Sequence, residues 1–456
     1  MKPTVTNEVM WRVKNYLEQA FGKADVTSPR MQAAIREWMS LYFGEPRREE
    51  DPADRLAVLI VSKLCRTVFA EYEARMTGPR ESELSPCLAN LDAVRTRAVQ
   101  YALVGGECLL KPVPAGREFD FVPIRRDCYV PLGRDAAGHL TAVGTMELMR
   151  EGRSGYALLE RRTAGERGVE IETRLFELSG DVLGHELPLA ALPRTAQLSP
   201  RLLLPGVPGV GLAELRCPLL NCADGGPDGV AVYAPAAGLI HRVARLEHQL
   251  GRELENGASR VFASEDLLRQ DEAGRRSFED DLFVGLPDDP ANVGVTVYSP
   301  TLRVEQYLAR KQDLLRSCES LIGLKRGILS EVEDTERTAT EVSSSSGDFS
   351  LTVQDFQRMW ADGARRAMTL CDALGRAYGQ WRGREFSPND LLIDWGDGVL
   401  FDRTRTWNEY SQMVNDGLLR PELALAWYFD LPHESEADLA AIRSRYMPSE
   451  KRGETP

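Results

Sequence analysis

The side chains of this chain that can do chemistry are few, and their spacing argues against most of it. Histidines stand at His139, His185, His241, His248 and His433, without an HExxH or equivalent pair. In the HExxH zinc hydrolases two histidines one helical turn apart hold the metal. His241 and His248 are seven residues apart and share one helix face, which suits solvated or interface histidines better than a metal site. Asp280-Asp281 and Asp288-Asp289 resemble carboxylate pairs that hold magnesium in nucleases. They sit in turn-like sequence beside Pro and Gly, and no third ligand is suggested. No lysine is followed by Ser or Thr, so the Gly-Lys-Ser/Thr of a P-loop is absent. The run Gly206-Val207-Pro208-Gly209-Val210-Gly211 lacks GxGxxG spacing and is read as a turn or linker. A GxSxG elbow is not found. The eight cysteines, at 65, 87, 108, 128, 217, 222, 318 and 371, form no CxxC pair. Scattered through apolar segments, they are expected to be small buried hydrophobes in a reducing compartment. The chain is expected to have no catalytic residue, metal or cofactor, and not to be an enzyme.

One segment keeps two readings. Thr338-Ala339-Thr340-Glu341-Val342 is followed by Ser343, Ser344, Ser345 and Ser346. It is either a flexible linker, with Asp348 capping the next helix, or a loop lining a channel. In the second reading small hydroxyls touch phosphates, and Arg326 and Arg337 give transient contacts. Glu331, Glu333, Asp334, Glu336 and Glu341 then weaken any lasting grip. Composition does not choose between them.

The elements that position this segment are clearer. Residues 5–104 read as helical, with Ser28-Pro29 opening a helix over Met31, Ile35, Trp38 and Tyr42. Leu56 to Phe69 continues the pattern, and Asp92 to Leu103 is a helix ended by Gly105-Gly106. Residues 107–195 turn strand-rich, in segments such as Glu107–Val113, Phe119–Pro123, Thr141–Leu148 and Glu170–Leu178. Residues 196–232, rich in Pro and Gly, read as irregular linker. Leu239, Val243, Leu246, Leu250 and Leu254 mark an amphipathic helix, as do Val304, Leu308, Leu315, Cys318 and Ile322. Between them lies a small β insertion with short strands near Arg260–Ala263, Leu282–Gly285 and Val293–Tyr298. Residues 326–348 read as an exposed loop, and a long helix from Phe349 to about Tyr378 as a spine or subunit contact. Glu422–Phe429 and Glu434–Tyr446 are helical, and 448–456 frayed. No internal repeat is visible.

The totals narrow the function classes. The chain has 456 residues and a formal net charge of −13, opposite to the balance of a tight nucleic-acid binder. DNA that only slides past is not excluded. The N-terminus has no apolar stretch of signal-peptide type, and no run approaches the ~18 apolar residues of a membrane span.

Several motifs occur in order over most of the chain. They are Thr338-Ala339-Thr340-Glu341-Val342, Tyr298 to Arg303, Leu321 to Leu324, Phe349 to Val353, Gly105 to Pro112, and Phe401 through Pro421. Together they resemble the portal proteins of tailed bacteriophages, in the long-tailed, siphovirus-type branch. The resemblance implies an α+β, mainly helical subunit. Its parts would be a wing (1–232), stem helix 1 (233–257), a clip (258–300), stem helix 2 (301–325), a tunnel loop (326–349), a long wing helix with its following segment (350–400) and crown-like helices (401–456). It implies a homo-oligomeric, dodecameric ring at one capsid vertex of the virion, assembled in the host cytoplasm. The ring would be conduit and valve for double-stranded DNA, without sequence specificity, during genome packaging and ejection. Implied partners are terminase, the major capsid or scaffold protein and the head–tail adaptor, with no membrane. The DNA-facing loop residues would be Arg337, Thr338, Thr340, Glu341 and Ser343 to Ser346. Alternatives are another ring connector, such as a gene-transfer-agent portal or an adaptor, or a DNA-processing enzyme such as a nuclease. Deleting residues 338–346 is expected to impair DNA packaging or retention while leaving rings intact, read by packaged DNA per particle and by end-on images.

Overall fold

The computed structural model describes residues 6–22, 25–44, 55–257, 260–264, 283–286, 296–298, 301–331, 339–396, 403–429, 431–433 and 435–447. For 6–9, 11, the strands within 260–298, 339–348 and 403–406 it describes the backbone alone. Two compact units result: residues 1–68 with 74–393, and residues 69–73 with 394–456.

The first unit is α+β. Helices α1 (Thr6–Phe21), α2 (Pro29–Phe43) and α3 (Leu56–Val68) come first, followed by strand β1 (Glu73–Met76) and helix α4 (Glu81–Gly105). Ser28 caps α2 by accepting from the Met31 N–H, with Pro29 in the first turn. Met31, Ile35 and Trp38 are buried on one face, as their spacing requires. Gly106 ends α4 in the left-handed region at φ 82. A Cβ there would lie 2.3 Å from the Gly229 carbonyl, so both the dihedral and the close approach demand glycine.

Ten strands follow. In order they are β2 (Glu107–Ala115), β3 (Glu118–Arg125), β4 (Tyr129–Arg134), β5 (Leu140–Glu151), β6 (Ser154–Gly165), β7 (Gly168–Ser179), β8 (Val182–Leu187), β9 (Arg201–Pro205) and β10 (Ala213–Arg216), with β1 before them. One sheet runs β4-β5-β6-β7-β8, with β9 also pairing β7; a smaller one runs β10-β2-β3. All pairs in these two sheets are antiparallel. Alternation sends Ala157 and Leu159 to one face, where α1 packs through Val13, Tyr16, Leu17 and Ala20. Leu158 points the other way, to Met149, Leu175, Leu189 and Leu192.

The Pro/Gly-rich stretch is a correction to the sequence reading. It is not merely linker, since β9 and β10 lie in it, each paired with a distant strand. Partners supplied by tertiary structure override weak local propensity. The turn at Gly206 to Gly211 connects them and buries Val207 and Val210.

The chain then enters α5 (Ala237–Asn256), strands β11 (Arg260–Ser264), β12 (Phe283–Leu286) and β13 (Thr296–Tyr298), and α6 (Val304–Ile322). β11 is central, parallel to β12 and antiparallel to β13. α7 (Ala339–Ala377) has 39 residues, about 58 Å at 1.5 Å per residue. It is the spine of this unit, packing on α3, α4, β2 and β10 through Phe356, Trp360, Ala364, Ala367 and Cys371. β14 (Leu391–Asp394) pairs with β1. The expected loop to residue 349 is corrected here: the backbone is helical from Ala339, so Asp348 lies inside the helix rather than capping it. Extending a packed helix costs less than nucleating one.

Six of the cysteines are buried, Cys128 is half-buried and Cys222 exposed, all as free thiols. Burial first of all raises the Cys65 thiol, to about 11.

Buried charge joins the strand and helix parts of this unit. Glu107, 4% exposed, receives Arg134 at 2.8 Å, Arg216 at 3.1 Å and the Tyr129 hydroxyl at 2.9 Å. It also accepts from the Gly229 N–H at 2.8 Å. Arg126 and Arg134 share Asp228 at 3.1 and 2.8 Å. Burial by itself raises the Glu107 carboxyl, but Arg134, Arg126 and Arg216 outweigh it and bring the pKa to about 2.

The second unit holds α8 (Arg403–Asn415), α9 (Pro421–Phe429) and α10 (Glu436–Tyr446). α8 falls within the span 401–456 that the resemblance implies to be helical, although its residue pattern alone does not single it out. α9 packs on both others, with Trp407 on Tyr428, Tyr410 on Trp427 and Phe429 on Tyr446 at centroid distances of 4.6, 5.0 and 5.0 Å. Ser435 and Asp438 form a capping box on α10.

Glu107→Gln should cost roughly 3 to 5 kcal/mol, because it strips a buried carboxylate from three arginines. The pKa is depressed in the folded state, so this stability is present above the unfolded value near 4.5. It is lost as pH falls through that value toward 2. Urea titrations across that window should show a slope in the wild type that the variant lacks.

Candidate functional site

The feature that stands apart from the core is the α5–α6 hairpin. Its charges fix it as antiparallel. Arg303, just before α6, grips Glu253 near the end of α5 with Nε and Nη2, at 3.1 and 2.9 Å. Lys311 in α6 pairs with Glu247, further back along α5. The Arg303 hydrogen bonds hold the Glu253 carboxyl below its ordinary value. At the same end a Cβ on Gly257 would lie 2.0 Å from Leu302 Cδ2, so glycine lets the two chain ends of the β insertion meet.

Burial along the hairpin is one-sided. Ala237, Ile240 and Val243 are the buried residues of α5, and Leu314, Leu315, Cys318, Glu319 and Ile322 those of α6. Beyond Val243 in α5, and before Leu314 in α6, no described residue is buried. The root is therefore anchored and the distal half stands in solvent. That half still shows apolar side chains: Leu254 is 49% exposed, Leu302 38% and Leu308 46%.

The second feature is the exit from α6. Gly323, left-handed at φ 77, ends the helix, and the Leu324 N–H returns to the Glu319 carbonyl at 2.8 Å. The chain then folds back over the Glu319 side chain, which is fully buried. Its Oε1 accepts from the N–H groups of Gly327, Leu329 and Ser330 at 3.1, 2.6 and 2.9 Å. Its Oε2 accepts from the Ser330 hydroxyl at 2.7 Å. The Glu331 N–H reaches Gln312 Oε1 at 2.9 Å. One carboxylate thus ties down residues 327–330 and sets where the chain leaves toward α7. On the far side, Thr352 of α7 lies against Gly323, where a Cβ would be 2.5 Å from Oγ1.

Arg337 and Thr338 lie outside the described residues. Thr340, Glu341, Ser343, Ser344, Ser345 and Ser346 belong to the first turns of α7, for which the backbone alone is described. The structure gives these residues a helix and leaves their contacts unassigned. Asp280, Asp281, Asp288 and Asp289 also lie outside the described residues. His241 and His248 do share the exposed side of α5, and His241 Nε2 meets Glu37 at 2.8 Å. Glu319 was missed by the sequence reading. The signal was present, an acid among Leu315, Cys318 and Ile322 on the apolar face of α6, but its backbone partners were not. Among the described residues no cluster of three or more His, Cys, Asp and Glu is placed to hold a metal ion. No helix among them is long and apolar enough to cross a membrane.

Glu319→Ala should release 327–330, leaving three backbone donors without their acceptor at a cost of about 1 to 3 kcal/mol each where they stay buried. Amide exchange of Leu329 and Ser330 should accelerate by more than tenfold; unchanged exchange would show that the carboxylate does not hold the turn.

No protein-family model matches the chain, and no curated protein matches it. Among solved structures, a chain in the neck of a native GTA particle, computed with C12 symmetry, is similar at a TM-score of 0.44 and 11% identity. The likeness covers 92% of this chain and 98% of that one.

Proposed function

We propose that this chain is a portal-type subunit of a ring that conducts double-stranded DNA at a capsid vertex, with no catalysis of its own. The observation that carries the proposal is the α5–α6 hairpin: a pair of helices about 30 Å long whose distal half has no fully buried residue among those described and ends in a small three-stranded unit. A helix pair exposing Leu254, Leu302 and Leu308 is poorly supported by its own chain. Side-by-side copies would cover those leucines and make a wall of stems. In the proposed ring α5 and α6 are the stem, β11–β13 the clip that docks terminase and then the adaptor, and the α6–α7 connection faces the passage. The Glu319 tie would hold the root of that connection while DNA moves past. The motif resemblance over most of the chain supports the same assignment, including a siphovirus-type branch, a dodecameric ring and a place in the virion.

End-on class averages of the purified full chain should show rings with a central opening. Leu308→Glu should abolish them while leaving the melting temperature nearly unchanged, because an exposed substitution costs the monomer less than about 0.5 kcal/mol. A chain that stays monomeric under all assembly conditions, or closes into a particle without an opening, would overturn the reading.

A further inference from the structure

The outward side of α5 is rich in basic residues, with Glu255 the one acid among them. His241, Arg242, Arg245, His248 and Arg252 recur at helical spacing and are all exposed, opposite buried Ile240 and Val243. Three other basic groups of the hairpin have carboxylate partners on it: Lys311 has Glu247, Arg303 has Glu253 and Arg310 has Asp313, while His241 meets Glu37 of α2. Arg242, Arg245 and Arg252 have no carboxylate partner among the described residues. Arg245 gives only its Nε, to the His241 carbonyl at 3.4 Å. The outward side of α6 is different in kind, with Gln306, Ala309, Ser317 and Ser320 around the Arg310–Asp313 pair.

We propose that the Arg242–Arg245–Arg252 face of α5 contacts nucleic-acid phosphates without reading sequence; this rests on the ring assignment above and names which stem helix meets the DNA. Three like charges spread over about 15 Å of one helix face complement a partner whose negative charge repeats regularly, as phosphates do. Arginine forks suit phosphate oxygens. Of a neighbouring hairpin's carboxylates, Glu247, Glu253 and Asp313 already hold Lys311, Arg303 and Arg310 and Glu319 is buried, which leaves Glu255 and Glu305, two isolated acids against the regular repeat of a phosphate backbone.

The test is Arg242→Gln/Arg245→Gln/Arg252→Gln in the full chain, with the triple Arg→Lys variant beside it. Binding of a labelled DNA duplex of arbitrary sequence is measured by anisotropy over a salt series, with end-on imaging of the same samples. The wild type should bind with log K falling linearly in log salt. The Gln variant should lose at least about tenfold at low salt, with a slope shallower by about 0.9 per phosphate contact removed. The Lys variant should retain most of both. A Gln variant that forms rings and binds DNA as the wild type does would overturn the inference while leaving the ring assignment intact. So would a Gln variant that fails to assemble while the Lys variant assembles, with DNA binding unchanged in both, since the arginines would then be pairing with a neighbouring copy. Wild type that does not bind the duplex would also overturn it. Arginine-dependent binding by a chain that never forms rings would sustain the contact and end the ring assignment.

Discussion

Glu107 sits where α4 ends, and nearly everything that leads to the hairpin is referred to it. Its carboxylate meets Arg134 of β4 and Arg216 of β10, and the Gly229 N–H only eight residues before α5 begins. Arg126 and Asp228 complete the knot. A buried carboxylate alone is costly, and so are three buried or half-buried guanidiniums. Each is tolerable only with the others in place, which sets one register for the corner, the small sheet and the entry to α5. The close approach of Gly106 to Gly229 allows that geometry. The direction in which the hairpin leaves the core thus depends on charges far from it in sequence.

That dependence explains what the sequence made legible. Ser28-Pro29, Gly106 and the amphipathic runs of α5 and α6 carry their signals within a few residues, and the structure places them close to where they were read. The strands β11, β12 and β13 were also legible, because β-formers stood between turn residues. β9 and β10 were not, since Leu202 to Leu204 and Ala213 to Leu215 become strands only when β7 and β2 arrive. The start of α7 was misread for a related reason. Its serines have no local preference for helix, while the buried apolar face of Phe349, Val353 and Phe356 lies downstream. The Glu107 knot was invisible because its members are separated by up to about 120 positions, from Glu107 to Gly229.

The charge of −13 also needs to be read by region rather than as a total. Residues 258–300 hold four arginines against nine acids, and 326–348 two arginines against six acids. α5 holds three arginines and three glutamates, and α6 is likewise balanced. The hairpin is therefore the neutral part of a strongly acidic stretch, and on α5 its positive charge is gathered on the outward side. A uniformly repelling wall, as the net charge alone suggests, is not what the described residues present.

In a ring this division has a physical consequence. Friction on a sliding duplex grows with the number of phosphates held at once and with the depth of each well. Arginines on flexible stems in water give shallow wells, because an exposed ion pair gains at most about 1 kcal/mol and salt weakens it further. Copies set at successive angles would spread those wells around the duplex, so that a phosphate leaving one finds another nearby. In the proposed ring the acids of 258–300 and 326–348 would discourage DNA from settling against those segments. Weak attraction at the arginines together with repulsion from the acidic segments would centre a polyanion without fixing it. A neutral wall would give no centring force, and a wholly basic one would hold the DNA still.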